Sequence, residues 1–284
     1  MTSRRTYVLF LIILLTSCLS KNRISVEEVV DFYQDQGLEN IESALYDDKH
    51  HVLYLSNGQD YRPGKDGFIS RVSPDGSFLD LKWISDLNRP TGMALKGDTL
   101  WIADVFVLLA IDTESGKVLA RYNEPKLGSG LNDVAIGPEG NVYVTASAAG
   151  AVYRLINGTL EPWVQDKVQL KYANGIVALE DQIIVAGFNL TRIDRQSGQL
   201  TDLLIQPAIK DFEGIVSDGN GGYFLTTVTS SGLYHLKPDL SMSALLEGPD
   251  FFGDLCIEPE RNLLYIPRGN EATGQSYLTR LDYE

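Results

Sequence analysis

The sequence predicts an all-β fold, a six-bladed β-propeller in which each blade has four antiparallel strands. One short motif recurs six times, with 39 to 49 residues between successive copies. A period of about 40 residues with strands in every unit is typical of a radial repeat. Each copy is followed by a second apolar run and by turns rich in glycine, proline and aspartate. No long pattern with a helical period interrupts this order.

The six copies of the motif mark the innermost strand of each blade. They read IESALYDD, PTGMALKG, LNDVAIGP, ANGIVALE, FEGIVSDG and FGDLCIEP. In the first unit, the four strand signals lie around ESALY, HVLYLS, FISRVS and FLDLKW. Turn sequences such as PDG and PEG separate strands at equivalent places. We therefore predict one propeller domain over residues 24–284.

The segment before the first copy allows two interpretations. Ser25 followed by Glu28 resembles a helix capping box, and the apolar residues beyond it have helical spacing. The last repeat, however, shows only three strand signals, and its outer edge would stay open without a fourth. We therefore favour a strand over residues 28–33 that closes the ring.

The N-terminus has the features of an export signal. Arg4 and Arg5 precede an apolar run that is shorter than the roughly 20 residues of a membrane-spanning helix. The tetrapeptide LTSC at residues 15–18 resembles the lipobox of bacterial lipoproteins. We expect a signal peptide over 1–17, a lipidated Cys18 and a tether over 18–23. The protein would then be exported to the bacterial cell envelope and held at the membrane by its lipid alone, facing the periplasm or the cell surface. An ordinary cleavage site near Cys18 is the alternative.

Charge and reactive side chains exclude several function classes. The chain has 38 acidic and 24 basic residues and a formal net charge of −14, which argues against a nucleic-acid partner. Its three histidines fit neither a Ser-His-Asp triad nor a zinc cluster. Cys256 lies in an apolar run and is expected to be a buried thiol. We expect a monomer.

The first position of the repeated motif is the candidate functional site. In register, it holds Glu42, Thr91, Asn132, Asn174, Glu213 and Gly253. These positions should converge on the propeller axis at one face, where two carboxylates and two amides would share a small space. Hard cations such as Ca²⁺ and Mg²⁺ prefer such oxygen ligands. Without a cation, one of the two buried carboxyl groups would have to bind a proton. The smaller Thr91 and Gly253 would leave two sectors open for water or substrate.

A structural role is the alternative for this position. Single polar residues at strand ends often bond to backbone amides and have no further function. Four oxygen-bearing residues in one register favour a metal or polar-ligand site over that alternative.

Four segments, in their order and spacing, resemble the SMP-30/gluconolactonase/LRE family of six-bladed propellers. They are IESALYDD, LNDVAIGPEGNVYVTAS, ANGIVALEDQIIVAG and FEGIVSDGNGGYFLTTV. The resemblance implies one divalent cation, in the first place Ca²⁺, with Mg²⁺, Mn²⁺ or Zn²⁺ as alternatives. It also implies metal ligands at Glu42, Asn174 and Glu213, with Asn132 and Asp133 facing the substrate. Glu213 departs from the aspartate that is usual in the family, and Gly130 stands where its sugar lactonases often carry arginine.

Two functions from different classes follow from this site. The first is a metal-dependent hydrolase that acts on a lactone or similar cyclic ester as its small-molecule substrate. Glu213 or Asp133 would take a proton from the attacking water, while the cation stabilises the oxyanion. Asn132, Thr91 and Arg268 would contact the substrate. The second is a non-catalytic envelope propeller that binds a ligand or a protein on the same face.

Overall fold

The computed structural model describes residues 24–59, 61–270 and 272–284. Within these residues the strands form six sheets that pack side by side as the blades of a propeller. The predicted fold class is confirmed. The predicted signal peptide, Cys18 and the tether lie outside the described residues. In the described part of the chain, we find no helix with both the length and the apolar character needed to cross a membrane.

The strands follow each other from the inside of each blade to its outside. Blades 1 and 2 consist of β2 (Ala44–Asp47), β3 (Val52–Asn57), β4 (Gly67–Val72), β5 (Leu79–Leu87), β6 (Pro90–Lys96), β7 (Thr99–Asp104), β8 (Val107–Asp112) and β9 (Val118–Asn123). Blades 3 and 4 consist of β10 (Leu131–Ile136), β11 (Val142–Ala146), β12 (Ala151–Ile156), β13 (Thr159–Gln165), β14 (Ile176–Ala178), β15 (Gln182–Ala186), β16 (Leu190–Asp194) and β17 (Leu200–Asp202). Blade 5 and the chain-continuous part of blade 6 consist of β18 (Phe212–Ser217), β19 (Tyr223–Thr227), β20 (Gly232–Leu236), β21 (Met242–Glu247), β22 (Phe251–Phe252), β23 (Cys256–Glu258), β24 (Leu263–Asn270) and β25 (Gln275–Tyr283).

The N-terminal segment supplies the outer strand of blade 6. Strand β1 (Val26–Phe32) pairs antiparallel with β25, from Val26 opposite Tyr283 to Phe32 opposite Leu278. The predicted closing strand is therefore confirmed, and it begins two residues earlier than expected. It ends before Tyr33 because that residue turns the chain with a φ of 62°. The capping-box interpretation is wrong because an open sheet edge gains more from a paired strand than from a short helix.

The apolar core lies between the blades. The described residues contain six clusters of buried side chains, and each cluster joins two neighbouring blades. The second strand of blade 2, β7, is buried along almost its whole length, whereas its outermost strand, β9, is mostly exposed. This gradient follows from the packing, because inner strands have a blade on both faces. Cys256 is buried in the cluster between blades 6 and 1, as predicted.

Candidate axial site

The backbone is irregular where the candidate residues leave the inner strands. In blades 2, 3 and 5, pairing between the first two strands is interrupted at the variable position of the motif. The interruptions lie between Pro90 and Met93, between Leu131 and Val134, and between Phe212 and Ile215. A bulge of this kind changes the direction in which a side chain points. In a regular strand, successive side chains point to opposite faces. The bulge allows the side chains of two consecutive residues to point toward the axis.

Hydroxyl groups of the second strands hold this irregular backbone. Thr145 Oγ1 accepts the N–H of Asp133 at 2.8 Å and donates to the carbonyl of Asn174 in the next blade at 2.7 Å. Thr226 Oγ1 accepts the N–H of Gly214 at 2.9 Å and donates to the carbonyl of Gly253 at 2.8 Å. Each hydroxyl therefore links the backbones of two blades at the level of the candidate site.

Thr91 has the same structural role and does not face a ligand. Its side chain is fully buried, and its hydroxyl donates to the carbonyls of Asn132 and Ala103. This placement does not support the predicted contact between Thr91 and a substrate. A threonine hydroxyl so close to two backbone carbonyls satisfies its donor there.

Four side chains form what we call the upper ring: Glu42, Arg89, Asn174 and Glu213. Arg89 Nη2 lies 2.8 Å from Glu42 Oε2, and Asn174 Nδ2 donates to Glu213 Oε2 at 2.9 Å. Arg89 and Glu213 are 8% and 7% exposed. The structure thus brings Asn174 and Glu213 into contact, as predicted, but pairs Glu42 with an arginine.

The two carboxyl groups of the upper ring differ in protonation. Burial raises the pKa of Glu213 to about 8, and the negative charge of Glu42 adds to this rise, while the Asn174 hydrogen bond and Arg89 oppose it. Burial also raises the pKa of Glu42, but the adjacent Arg89 favours its charged form. At neutral pH, Glu213 therefore holds a proton while Glu42 is ion-paired. This agrees with the expectation that one carboxyl group binds a proton when no cation is present.

Arg89, which precedes the second motif copy by one residue, was not among the residues predicted for the site. Asp104 fixes the backbone before it, accepting the N–H of Arg89 at 2.8 Å and the N–H of Asn88 at 3.1 Å. The guanidinium then donates to the carbonyls of Asn40 at 3.0 Å and Pro90 at 3.1 Å. The signal was a lone arginine in the turn LNRPTG. A comparison restricted to the repeated frame could not find it.

A second pair of carboxyl groups, the lower ring, lies one residue further along the motif. It consists of Asp133 and Asp254, which line an axial cavity of about 320 Å³ together with apolar residues of the inner strands. Asp133 Oδ1 accepts the N–H of Val134 at 2.6 Å, and its Oδ2 accepts the N–H of Ile176 in blade 4 at 2.8 Å. Ser43 of blade 1 donates its hydroxyl to Asp254 Oδ2 at 2.9 Å.

The lower ring is closely packed. A Cβ atom added at Gly92 would lie 2.5 Å from Asp133 Cα, and one added at Gly214 would lie 2.6 Å from Asp254 Cα. Burial raises the pKa of Asp133 well above its usual range, with Asp254 adding to the rise. Burial likewise raises the pKa of Asp254 to about 7. Burial therefore favours the protonated form of both aspartates.

These contacts bear on three further predictions. The placement of Asp133 does not support its predicted role as a base, since each of its oxygens accepts a backbone N–H group in a buried site. The sector of Gly253 is not open, because an added Cβ there would overlap the carbonyl of Glu42. Arg268 lies 3.8 Å from the centre of the Phe252 ring, opposite it in the sheet, and packs within blade 6 instead of at the axis.

Asn132 is partly buried beside the upper ring, and its carbonyl accepts the hydrogen bond from Thr91.

Tyr61 closes one side of the site. The residue is 45% exposed, but its hydroxyl points inward and donates to the carbonyl of Leu131 in blade 3. The loop of blade 1 that carries Tyr61 therefore crosses the face of blade 2.

A polar cavity of about 430 Å³ adjoins Arg89 between blades 1 and 6. Amide side chains and one aromatic ring dominate its lining, which includes Asn40, Gln59, Asn270, Gln275 and Phe251. Amides both donate and accept hydrogen bonds, so such a lining suits a small polar ligand.

The predicted ligand set of Glu42, Asn174 and Glu213 does not fit a divalent cation in this arrangement. Arg89 already places a positive charge at the Glu42 carboxylate, and it would repel an ion at the same place. Asn174 donates its amide N–H to Glu213 Oε2, so these two predicted ligands are bonded to each other. Among the described residues, no three His, Cys, Asp or Glu side chains are grouped as a metal site.

Solved structures of known proteins share this fold. A gluconolactonase from Xanthomonas campestris matches with 16% identity and a TM-score of 0.67 over 89% of each chain. Regucalcin, a calcium-binding protein from Agrobacterium tumefaciens, matches with 14% identity and a TM-score of 0.67, over 86% of this chain and 92% of its own. Catalytically inactive virginiamycin B lyase from Staphylococcus aureus, solved with quinupristin, matches with 12% identity and a TM-score of 0.63, over 92% and 99%.

No protein-family model matches the sequence, and no curated protein matches it. At identities this low, the structural likeness concerns the fold alone. At that level it confirms the resemblance predicted from the motifs: the chain has the six-bladed propeller fold of gluconolactonase, regucalcin and luciferin-regenerating enzyme.

Proposed function

We propose that the protein is a hydrolase that opens a lactone or similar cyclic ester at the upper ring. The observation that carries this proposal is Glu213, a buried carboxyl group with a pKa of about 8, hydrogen-bonded to Asn174 and next to the Glu42–Arg89 ion pair. A group whose pKa lies near the working pH is suited to move protons in both directions.

The proposed reaction uses Glu213 first as a base and then as an acid. In its ionised form, Glu213 takes a proton from a water molecule whose oxygen attacks the ester carbonyl. The tetrahedral oxyanion forms near the guanidinium of Arg89, whose positive charge stabilises it. The carbon–oxygen bond of the ring then breaks, and Glu213 returns its proton to the leaving alkoxide. The product is the open-chain hydroxy acid.

The predicted divalent cation, with Ca²⁺ as the first choice, has no step in this scheme. Direct metal titration tests whether one such ion binds to the upper ring. Asn132 is the remaining predicted substrate contact at the edge of the site.

The proposal is tested with a panel of lactones, with and without chelator, using the wild type and Glu213→Gln. We expect hydrolysis that increases as the pH rises toward about 8, because Glu213 must lose its proton. Glu213→Gln should lower turnover by roughly 10²- to 10⁴-fold, the usual contribution of a general acid–base group. Glu180→Gln, an exposed substitution at the opposite end of the inner strands, is the matched control. If purified wild type hydrolyses no lactone under either condition, the proposal fails.

The second candidate function is non-catalytic binding of a small anionic ligand on the same face. It is favoured by basic side chains in the loops on this face: Lys171 and Lys210 lie 4.1 and 4.5 Å from the Phe188 ring centre, and Arg89 borders the polar cavity. A ligand that raises the melting temperature and is recovered unchanged would favour binding over hydrolysis.

We also propose that the protein acts as an exported monomer, anchored to the envelope membrane through Cys18, with no nucleic-acid partner. The lipobox-like tetrapeptide LTSC supports the anchor. Cys18→Ser should move the expressed protein from the detergent phase to the aqueous phase on phase separation. Equal partition of both proteins would contradict the lipid anchor.

A further inference from the structure

We propose that Arg89 is a built-in replacement for the divalent cation, so that the upper ring is complete without any metal ion. The inference concerns the site of the proposed hydrolase, but it depends on charge and geometry and holds whether or not the protein turns over an ester.

The guanidinium occupies a place that the fold prepares for it. Three oxygens surround it, the Glu42 carboxylate at 2.8 Å and the carbonyls of Asn40 and Pro90 at 3.0 and 3.1 Å. Its aliphatic stem packs against Gly58. A larger residue would not fit at position 58, since a Cβ there would lie 2.7 Å from Arg89 Cδ. Asp104 fixes the backbone of the same turn. The arginine is therefore held at its guanidinium by three oxygens and at its backbone by Asp104.

This arginine places a positive charge inside the upper ring. Arg89 Nη2 lies 2.8 Å from Glu42 Oε2, where a metal ion bound to Glu42 would lie, while Glu213 is bonded to the amide of Asn174. The guanidinium thus contacts one of the two carboxyl groups that were expected to share a metal ion, and it acts on Glu213 only through its charge.

An arginine changes what the site can do compared with a metal ion. A guanidinium cannot be removed by a chelator, and it donates directed hydrogen bonds in one plane. It cannot lower the pKa of a bound water as a metal does, so the proton must go to a side chain. The proton-accepting Glu213 in the same ring meets that requirement.

The test measures divalent-cation binding by calorimetry and by melting temperature after chelator treatment. In the wild type, Ca²⁺ and Mn²⁺ should produce neither a binding isotherm nor a shift in melting temperature. Arg89→Ala frees Glu42 beside Asn174 and Glu213, and should gain one Ca²⁺ site with a dissociation constant of about 0.1–1 mM, as in weak extracellular calcium modules. Arg89→Lys, which keeps a positive charge, should gain none. Glu42→Gln combined with Arg89→Ala should lose most of the gain.

The wild-type titration decides the matter even if Arg89→Ala does not fold. One equivalent of Ca²⁺ or Mn²⁺ bound to wild type, with a melting-temperature rise that Glu42→Gln abolishes, would overturn the proposal. A folded Arg89→Ala protein that binds no cation would also overturn it. Because the readout is binding, a failed lactone screen leaves this result unaffected, and the two proposals can fail separately.

Discussion

The upper and lower rings carry carboxyl groups at adjacent positions of one motif, yet their surroundings differ. In the upper ring, Glu42 faces Arg89, and Glu213 is held by the side chain of Asn174. In the lower ring, Asp133 is held by backbone N–H groups of two blades. Burial raises the pKa of carboxyl groups in both rings, so a raised pKa alone does not identify a catalytic group. What separates the rings is whether the carboxyl oxygens are already bound by the backbone.

The largest effect is expected from the glycines that make room for the lower ring. In Gly92→Ala, the new methyl group would lie 2.5 Å from Asp133 Cα, where the backbone cannot move aside. We expect a loss on the order of 4 kcal/mol in the free energy of unfolding, or a failure to fold. Gly269→Ala, whose methyl group would meet its nearest atom at 3.7 Å, is the control for urea unfolding. Equal stabilities would show that the lower ring is not closely packed.

A smaller effect is expected from Asp133→Asn, which should lower stability but not act on the reaction directly. The amide nitrogen of asparagine cannot accept a hydrogen bond, so the N–H of Val134 or Ile176 loses its acceptor. The cost should be about 1–3 kcal/mol in urea unfolding. Glu213→Gln should show the opposite pattern, with lost turnover and nearly unchanged stability. If Asp133→Asn abolished lactone hydrolysis in a fully folded protein, the distinction between the rings would be wrong.

Stability should also depend gradually on pH, with a small change at each step of pH. Glu213 and Asp254 have folded-state pKa values of about 8 and about 7, above those of an unfolded chain. Their contribution is fully present below about pH 4 and is lost as the pH rises through the folded-state values. The free energy of unfolding should therefore fall between about pH 4 and 8, by at most about 1.4 kcal/mol per pH unit for each group.

Urea unfolding at a series of pH values measures this slope. Asp254→Asn should flatten the part of the curve below about pH 7, because it removes the group that titrates there. A wild-type stability that rises steadily from pH 5 to 8 would mean that both carboxyl groups are ionised at neutral pH in the folded protein.

Much of the architecture could be predicted because it repeats. Six copies of one motif revealed the blades, and the missing strand of the last repeat revealed the ring closure by β1. Electrostatics alone indicated that two axial carboxyl groups without a cation would require one proton, and burial raises the pKa of Glu213. The pairing of Asn174 with Glu213 followed from their common register.

The sequence pattern could not predict the contacts between copies. Gly253 was expected to open a sector, but the backbone of the neighbouring blade fills it. Asp133 was expected to face the substrate, but the bulge turns it toward the backbone of blade 4. Both errors arise because a motif shows which residues are equivalent, whereas the packing of adjacent blades decides which atoms meet.

The sequence by itself determined the number of blades, the position at which each reaches the axis, and the set of oxygen-bearing side chains there. Those properties depend on local strand propensity and on the period of the repeat, and both are visible in one amino-acid sequence. Only the tertiary structure showed that the positive charge facing Glu42 is the guanidinium of Arg89. Arg89 stands outside the repeated motif, and its long side chain reaches the axis from a turn between two blades. Long-range contacts of this kind depend on the closed ring, which brings residues from different blades to within hydrogen-bonding distance.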